Sequence, residues 1–349
     1  MNVKLLVLAV LATIASGACE ADEGTRMQTG YGNGDADADT DSDADGDTDG
    51  DADSDYKGGN SLGCDKMDIL FVIDDSGSME CEQNMLIQVF PEFIGVLESF
   101  SNKNADQINY RVGVTSTGKT AVLRQKTGIF PIDTPMEGLD GALNAVQGAR
   151  WIDGPGDQGL LSSRFSQMAS LGAGGPGYEM PLEALRMAIE KDAPQQPNSG
   201  FLRQNSLFIA VIISDEDDCS RLDNPIVLEL NQTDDCLYPQ PSPHLVDLGE
   251  YKDFLDSRFG GSDGYAVISI AGESTCDGSS YPITCPNDQS GYAGARQARR
   301  LYEFVHNYVN DGKSNNGLFA DICTSDMPRA LEQALDKMEM ACDAFPAVE

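Results

Sequence analysis

The chain has 349 residues, with 57 acidic side chains against 23 Lys and Arg, and a formal net charge of −34 at pH 7. This length fits one domain of ordinary size with additional segments. So acidic a protein repels nucleic acids and anionic lipid surfaces, and we therefore expect neither to be a partner of the folded part.

Residues 1–18 have the features of a secretory signal. Lys4 precedes an apolar run from Leu5 to Ala15, and small residues follow up to Cys19. A run this short is typical of a signal peptide rather than of a membrane span. The end of the signal resembles a bacterial lipoprotein cleavage site, which implies export and a lipid anchor on Cys19 in the cell envelope, with the outer membrane as the expected location. Ordinary cleavage near Ala18 is the alternative.

Residues 19–63 are predicted to be a disordered, Asp-rich tether. Asp occupies every odd position from 35 to 55, alternating with Ala, Thr, Ser and Gly. Such a segment has almost no apolar surface to offset the entropy of ordering, and its charges repel one another. The opening of an EF-hand calcium loop occurs at residues 41–46, but the twelfth position is Ala52 instead of the bidentate Glu. We therefore interpret the segment as a tether.

Residues 64–343 are predicted to form an α/β domain, with residues 344–349 as a tail. Runs of apolar residues without alternation indicate buried strands, and apolar residues at helical spacing indicate helices between them. This alternation predicts a doubly wound, mostly parallel sheet with helices on both faces. Insertions are expected near 119–176, 219–243 and 272–293. The predicted strands are Ile69–Ile73, Tyr110–Val114, Leu207–Ile213 and Tyr265–Ala271, and the predicted helices lie near 82–101, 182–189, 245–259, 298–309 and 326–338.

Polar oxygen-bearing side chains follow two of these strands directly. Asp74, Ser76 and Ser78 come after the first strand at alternate positions, and Asp215 comes after the strand Leu207–Ile213. The carboxyl ends of parallel strands meet at one edge of the sheet, where ligands of such folds bind. Carboxylates and hydroxyls are hard ligands that suit Mg²⁺ or Ca²⁺.

The pattern Asp74-x-Ser76-x-Ser78 after a buried strand, with Asp215 after a second one, resembles the metal-ion-dependent adhesion site of von Willebrand factor type A domains, including secreted bacterial members. The resemblance implies one bound divalent cation, Mg²⁺ first and Ca²⁺ or Mn²⁺ as alternatives. It also implies a protein partner at the metal-site face. The neighbouring acids Asp75, Glu216, Asp217 and Asp218 are interpreted as solvated acids at the rim of the site.

The middle ligand departs from the family pattern. Glu179 stands where the family has a Thr before a helix, while Thr115 and Thr117 belong to a different loop. As a ligand, Glu179 would hold the ion more tightly and satisfy more of its charge. The site would then depend less on a carboxylate supplied by a partner. The alternative is that Glu179 caps the following helix, where a carboxylate is favourable in any case.

The nine cysteines fit an exported chain, since setting Cys19 aside leaves an even number. Sequence alone does not fix the pairing. Cys276–Cys285 and Cys219–Cys236 are close enough in sequence to close single loops. The strand order of the resembled fold would let Cys64–Cys342 link the two ends of the domain. Cys81–Cys323 is then the remaining pair.

We therefore expect an exported, lipid-anchored, metal-binding domain that mediates protein recognition or adhesion at a bacterial cell envelope. One alternative is a structural envelope protein whose ion only stabilises the fold. A hydrolase is the second alternative, but a serine hydrolase needs a histidine base. His244 and His306 are the only histidines, and neither follows a strand-end nucleophile. No enzymatic activity and no small-molecule substrate are expected.

Overall fold

The computed structural model describes residues 63–102, 105–127, 130–221, 223, 225–229, 244–277, 294–312, 314–324 and 327–346. The predicted signal, Cys19, the tether up to residue 62, Cys236 and Cys285 lie outside these ranges.

A six-stranded sheet forms the centre of the domain, in the order β11-β8-β6-β1-β2-β5. All neighbours are parallel except β5, which runs antiparallel to β2. Along the chain, the strands are β1 (Lys66–Ile73), β2 (Asn109–Ser116), β3 (Ala121–Thr127), β4 (Phe130–Met136), β5 (Trp151–Gly154), β6 (Leu207–Ile213), β7 (Ile226–Glu229), β8 (Tyr265–Ala271), β9 (Cys276–Asp277), β10 (Gly294–Ala295) and β11 (Gly317–Asp321). Within the sheet, the order follows the doubly wound pattern in which the first and fourth strands lie side by side and the connections reverse direction.

Helices cover both faces of this sheet, as the sequence predicts. They are α1 (Glu80–Leu97), α2 (Gln158–Ala169), α3 (Pro181–Glu190), α4 (Leu248–Phe259), α5 (Arg299–Glu303, continued by a π-helical segment Phe304–Val309) and α6 (Met327–Ala344). Helices α1, α2 and α6 share one face, and α3, α4 and α5 pack together on the other. None of the described helices is long and apolar enough to cross a membrane.

The two central strands are buried on both faces. Every residue of β6 is buried, and so is every residue of β1 after Lys66. On one face, Phe71 of β1 contacts the rings of Phe90 and Phe93 from α1 and of Phe165 from α2. On the other face, leucines and alanines of α3 pack against the opposite side of β1. This two-sided burial explains why both strands read as unbroken apolar runs.

The insertions build a second, smaller sheet. Strands β3 and β4 form an antiparallel pair, and β7 from the second insertion joins β3 in parallel. Its core contains Ala121, Ile226 and Leu228 together with Met180 at the start of α3. Strand β5 instead extends the central sheet. The edge strand β11 was not predicted from the sequence.

The disulfides agree with one predicted pair and correct two others. Cys64, before β1, is joined to Cys342 in α6, so the two ends of the domain are linked as predicted. Cys276 is joined to Cys323, which makes the predicted pairs Cys276–Cys285 and Cys81–Cys323 wrong. The reason is the sheet order, because β8 and β11 are neighbours and the loops after them carry these two cysteines. Cys81 and Cys219 are each engaged in a disulfide as well. The predicted Cys219–Cys236 pair includes a residue outside the described ranges.

Candidate metal centre at the carboxyl edge of the sheet

The predicted site residues of β1 and β6 meet at the point where the strand order reverses. Ile73 and Ile213 are register partners at the ends of these adjacent strands. The backbone N–H of Asp74 donates to the carbonyl oxygen of Ile213 at 2.9 Å. The loop after β1 and the loop that carries Asp215 therefore begin side by side, at the position where doubly wound folds bind ligands.

Asp74 is fully buried and held at both carboxylate oxygens. Its Oδ1 accepts from the backbone N–H of Ser76 at 2.8 Å, and its Oδ2 accepts from the hydroxyl of Ser214 at 2.7 Å. The Oγ atoms of Ser76 and Ser78 lie 3.0 Å apart. Ser76 is buried and Ser78 is partly exposed. The alternate spacing thus places both hydroxyls on the same side of the loop, as predicted.

Glu179 is brought to the same edge by backbone pairing. It forms an antiparallel bridge with Gly118, just after β2, and its carbonyl oxygen accepts from the N–H of Cys219 at 2.7 Å. Its side chain is fully buried, and the Thr117 hydroxyl donates to Oε2. Within the described structure, Oε1 has no hydrogen-bond partner. The carboxyl groups of Glu179 and Asp74 are close enough to interact directly.

In the described structure, the Glu179 side chain makes no hydrogen bond to the N–H groups at the start of α3. The first free N–H groups of α3 are satisfied by other side chains. The N–H of Leu182 donates to Asp218 Oδ1 at 3.1 Å, and that of Glu183 donates to Ser220 Oγ at 2.9 Å. Asp218 and Ser220, rather than Glu179, therefore supply the side-chain hydrogen bonds at the start of α3.

Asp217 and Asp218 are not rim acids either, since both are buried. Asp217 accepts from the backbone N–H groups of Arg300 and Leu301 in the first turn of α5. Asp218 forms an ion pair with the guanidinium of Arg300 at 3.2 Å. Asp218 also accepts from the N–H of Leu182, so these two acids link α3 and α5 to the loop after β6 by hydrogen bonds.

Burial shifts the ionisation of the three predicted acidic ligands. It raises the pKa of Asp74, and burial together with the negative charge of Asp74 raises the pKa values of Glu179 and Asp215 well above their ordinary range. Asp215 is 2% exposed, and its Oδ1 has no hydrogen-bond partner among the described residues. The charge of Asp74 therefore disfavours the ionised forms of two buried carboxyl groups beside it, and a bound cation would offset that charge.

The donor set fits a hard divalent cation. It consists of three carboxylates and two hydroxyls, and two carboxylate oxygens are buried without a partner. No three or more His, Cys, Asp or Glu side chains in the described ranges form a metal cluster by themselves. The fit therefore rests on carboxylates and serine hydroxyls together, which are the ligands that Mg²⁺ and Ca²⁺ prefer.

Two further loops form the mouth of the site. The loop before α3 approaches closely, since a Cβ on Gly175 would lie 2.2 Å from Asp75 Oδ1. Burial and the charge of Asp74 raise the pKa of Asp75 to about 6. On the other side, the N–H of Arg296 donates to the carbonyl oxygen of Asp215 at 2.8 Å. The Arg296 side chain is half exposed and lies 3.8 Å from the carboxylate of Glu216.

Sequence reasoning missed the residues that hydrogen-bond to the candidate metal-binding residues. Thr117, Ser214 and Gln83 belong to this group; the Gln83 side-chain amide donates to the carbonyl oxygens of Asp74 and Gly172. A usable signal existed for two of them, because Thr117 follows the end of β2 and Ser214 the end of β6. Polar residues at strand ends that share one edge are candidates for the same site.

No protein-family model matches the chain, and no curated protein matches it either. Similar solved structures include proximal thread matrix protein 1 from the mussel byssus, in a form with a zinc-occupied metal-ion-dependent adhesion site (10% identity, 81% of this chain and 47% of that chain covered, TM-score 0.34). The pilus adhesin SpaC from Lactobacillus rhamnosus GG is similar over 79% of this chain and 31% of its own (14% identity, TM-score 0.39). BatB from Bacteroides thetaiotaomicron is similar over 78% of this chain and 98% of its own (11% identity, TM-score 0.34). The chain thus spans less than half the length of the mussel protein.

The topology and the site residues together define the kind of domain. The sheet is doubly wound with its reversal point between β1 and β6. The Asp-x-Ser-x-Ser loop follows β1, and Asp215 follows β6 at the same edge. The described residues therefore have a doubly wound α/β fold of the von Willebrand factor A-like kind, with the Glu179 carboxylate at the same edge of the sheet as Asp74.

Proposed function

We propose that this protein is an exported recognition protein whose von Willebrand factor A-like domain binds one divalent cation and a protein partner at the carboxyl edge of its sheet. One observation carries the proposal: Glu179 Oε1 and Asp215 Oδ1 are buried beside Asp74 without hydrogen-bond partners in the described structure. A buried, unpaired carboxylate is costly. Two such groups at one edge favour a cation site over a purely structural cluster.

Asp74, Ser76, Ser78, Glu179 and Asp215 would hold the ion. When bound, the cation supplies the positive charge that offsets the repulsion among the three carboxylates and an electrophilic position for an oxygen atom of a partner. Mg²⁺ is the first candidate, with Ca²⁺ and Mn²⁺ as alternatives. The chain's own contribution is orientation, since Ser214 and the Ser76 N–H hold both oxygens of Asp74.

The partner surface in this proposal surrounds Ser78, the part of the metal loop that is partly exposed. The loop before α3 and the Arg296–Glu216 pair form its two sides. A lipid on Cys19 and the acidic tether would hold this surface away from the bacterial envelope to which the protein is anchored. The proposal includes no catalytic step and no small-molecule substrate.

Ion binding tests the proposal directly. Titration of the EDTA-treated protein with Mg²⁺, Ca²⁺ and Mn²⁺ in a calorimeter is expected to show one site. The double variant Asp74→Ala/Asp215→Ala should lose both the binding and the ion-dependent rise in melting temperature. Asp133→Ala is the matched control, because Asp133 is an exposed acid paired with Arg124 on the small sheet. Equal ion dependence in the double variant and the wild type would refute the site.

A second candidate function is purely structural, with the ion serving only to stabilise the fold. One observation favours it: Asp74, Glu179 and Asp215 are at most 2% exposed, so most of the donor set is closed to a partner. A pull-down from envelope extracts separates the two functions. A partner retained in Mg²⁺, released by EDTA and absent with the double variant supports recognition. Ion stabilisation with no such partner supports the structural function.

A further inference from the structure

Among the described residues, Thr117 is the one whose hydroxyl donates a hydrogen bond to the Glu179 side chain. Both residues are fully buried, and the Thr117 hydroxyl donates to Glu179 Oε2. We infer that Thr117 is a positioning residue of the metal centre, an inference that rests on the proposed function. Thr117 holds the Glu179 carboxylate so that the other oxygen, Oε1, remains available to the cation.

The backbone around this pair is fixed independently of the side chains. Gly118 bridges Glu179, the N–H of Met180 donates to the Thr117 carbonyl at 3.3 Å, and the N–H of Cys219 donates to the Glu179 carbonyl. Glu179 is therefore held between the extension of β2 and the loop after β6. What the backbone leaves free is the rotation of the Glu179 side chain, and the Thr117 hydroxyl removes that freedom.

The geometry distinguishes this contact from an ordinary buried threonine bond. Thr115, two residues earlier on β2, is equally buried, and its hydroxyl donates to a backbone carbonyl, that of Ala142, at 2.9 Å. Thr117 donates instead to a carboxylate, a charge-assisted bond that is stronger than a neutral one. Donors of this kind orient metal-binding groups, and their loss typically lowers metal affinity by about 10- to 100-fold.

Fixed orientation also bears on which ion is preferred. Mg²⁺ demands near-ideal geometry, whereas Ca²⁺ tolerates flexible and irregular ligand arrangements. A Glu179 carboxylate that loses its hydroxyl donor becomes mobile, and this change costs Mg²⁺ binding more than Ca²⁺ binding. The ratio of the two affinities is therefore a measurement that a merely structural role of Thr117 would leave unchanged.

The test compares Thr117→Val with Thr115→Val in the full-length protein. Each variant removes one buried hydroxyl, from β2 in Thr115→Val and from the residue just after β2 in Thr117→Val, with almost no change in shape. Calorimetric titration with MgCl₂ and with CaCl₂ is expected to show Mg²⁺ affinity lowered about 10- to 100-fold in Thr117→Val, a smaller loss for Ca²⁺, and unchanged affinities in Thr115→Val. Thr117→Ser keeps the hydroxyl and should retain wild-type affinities. Thr117→Ala provides the same test should the valine variant not fold.

The outcomes separate this inference from the function on which it rests. A wild-type protein that binds ions, with Thr117→Val and Thr117→Ala binding them equally well, overturns the positioning role alone. Equal losses in Thr115→Val and Thr117→Val would also overturn it, because they would indicate a general effect on β2. A wild-type protein that binds neither Mg²⁺ nor Ca²⁺ overturns both.

Discussion

Two groups of acids lie within four residues of each other after β6, and they differ in how their charge is satisfied. Asp217 and Asp218 are buried; Asp217 accepts from backbone N–H groups of α5, and Asp218 accepts from the N–H of Leu182 in α3 and from the Arg300 guanidinium. Asp215 is as deeply buried, yet one of its oxygens has no partner in the described structure. Burial alone therefore does not distinguish a carboxylate that joins elements of the fold from one at the candidate metal centre. The number of hydrogen-bond donors around each carboxylate does.

The same contrast holds across the wider site. The acids that join elements of the fold interact with arginine, lysine or helix N–H groups, whereas Glu179 and Asp215 each lie near the negative charge of Asp74. A fold that keeps buried carboxylates close to another negative charge is less stable without a counter-charge than one that pairs them. Stability with and without a cation is therefore the quantity that distinguishes the two groups.

The largest expected effect comes from the structural group. Asp218→Asn keeps the shape of the side chain but removes its charge from beside Arg300. Breaking a buried ion pair from one side costs about 3–5 kcal/mol. We expect a loss of this size in urea unfolding, equal in EDTA and in Mg²⁺. A loss that appears only in Mg²⁺ would place Asp218 in the metal centre and end the comparison.

Asp215→Asn should show the opposite dependence. In EDTA, the free energy of unfolding is expected to stay equal or to rise, since one of the repelling charges has been removed. In Mg²⁺ at 100 times its dissociation constant, the wild type gains about 2.7 kcal/mol, and the variant should gain far less. Urea unfolding of the wild type and of Asp215→Asn, each in EDTA and in Mg²⁺, gives the four free energies of unfolding to compare. A variant that is strongly destabilised in EDTA would contradict the assignment of Asp215 to the ion.

Glu179→Thr sharpens the comparison by restoring the middle residue of the family pattern. The site then holds one negative charge less, so we expect Mg²⁺ affinity to fall roughly tenfold, about 1.4 kcal/mol. An added carboxylate should now be able to complete the site. Calorimetry in acetate and in chloride at equal ionic strength should show tighter Mg²⁺ binding in acetate for the variant only. Equal acetate dependence in the wild type would mean that Glu179 does not satisfy the ion.

The smallest effect concerns Glu183, a paired acid whose charge is set by its neighbours. Burial pulls its pKa upward, but Arg186 and Lys119 outweigh burial and hold the pKa below its ordinary value. An acid with a lowered pKa stabilises the fold above about pH 4.3, its value in the unfolded chain, and this contribution is lost as the pH falls further.

Glu183→Gln should therefore be less stable at pH 6 by roughly 0.5–1 kcal/mol. It should also lose less stability than the wild type between pH 5 and pH 3. Chemical unfolding across that range, with Asp133→Asn as an exposed control, provides the measurement. A steeper acid dependence in the variant than in the wild type would show that the sign is wrong.

Sequence reasoning found what local pattern determines. The unbroken apolar runs of β1 and β6 predicted buried parallel strands, and the acids after them predicted the shared edge. It missed β11, a short strand of five residues that lies at the edge of the sheet and pairs on one side only. It misjudged Asp218 because its partners Leu182 and Arg300 lie 36 and 82 residues away. Contacts over such distances arise from the completed fold and leave no local pattern.

The disulfide between Cys64 and Cys342 gives the domain a defined path for mechanical force. The chain enters at Cys64, and β1 then runs without interruption for eight residues, roughly 26 Å, to the metal loop. In the proposed function, tension between a partner at that loop and a lipid anchor before Cys64 would act along β1 itself. That strand is hydrogen-bonded to β2 on one side and to β6 on the other. Such a load would shear the hydrogen bonds of β1 to both neighbouring strands at once. A force applied between the two ends of the domain is instead carried by the Cys64–Cys342 disulfide.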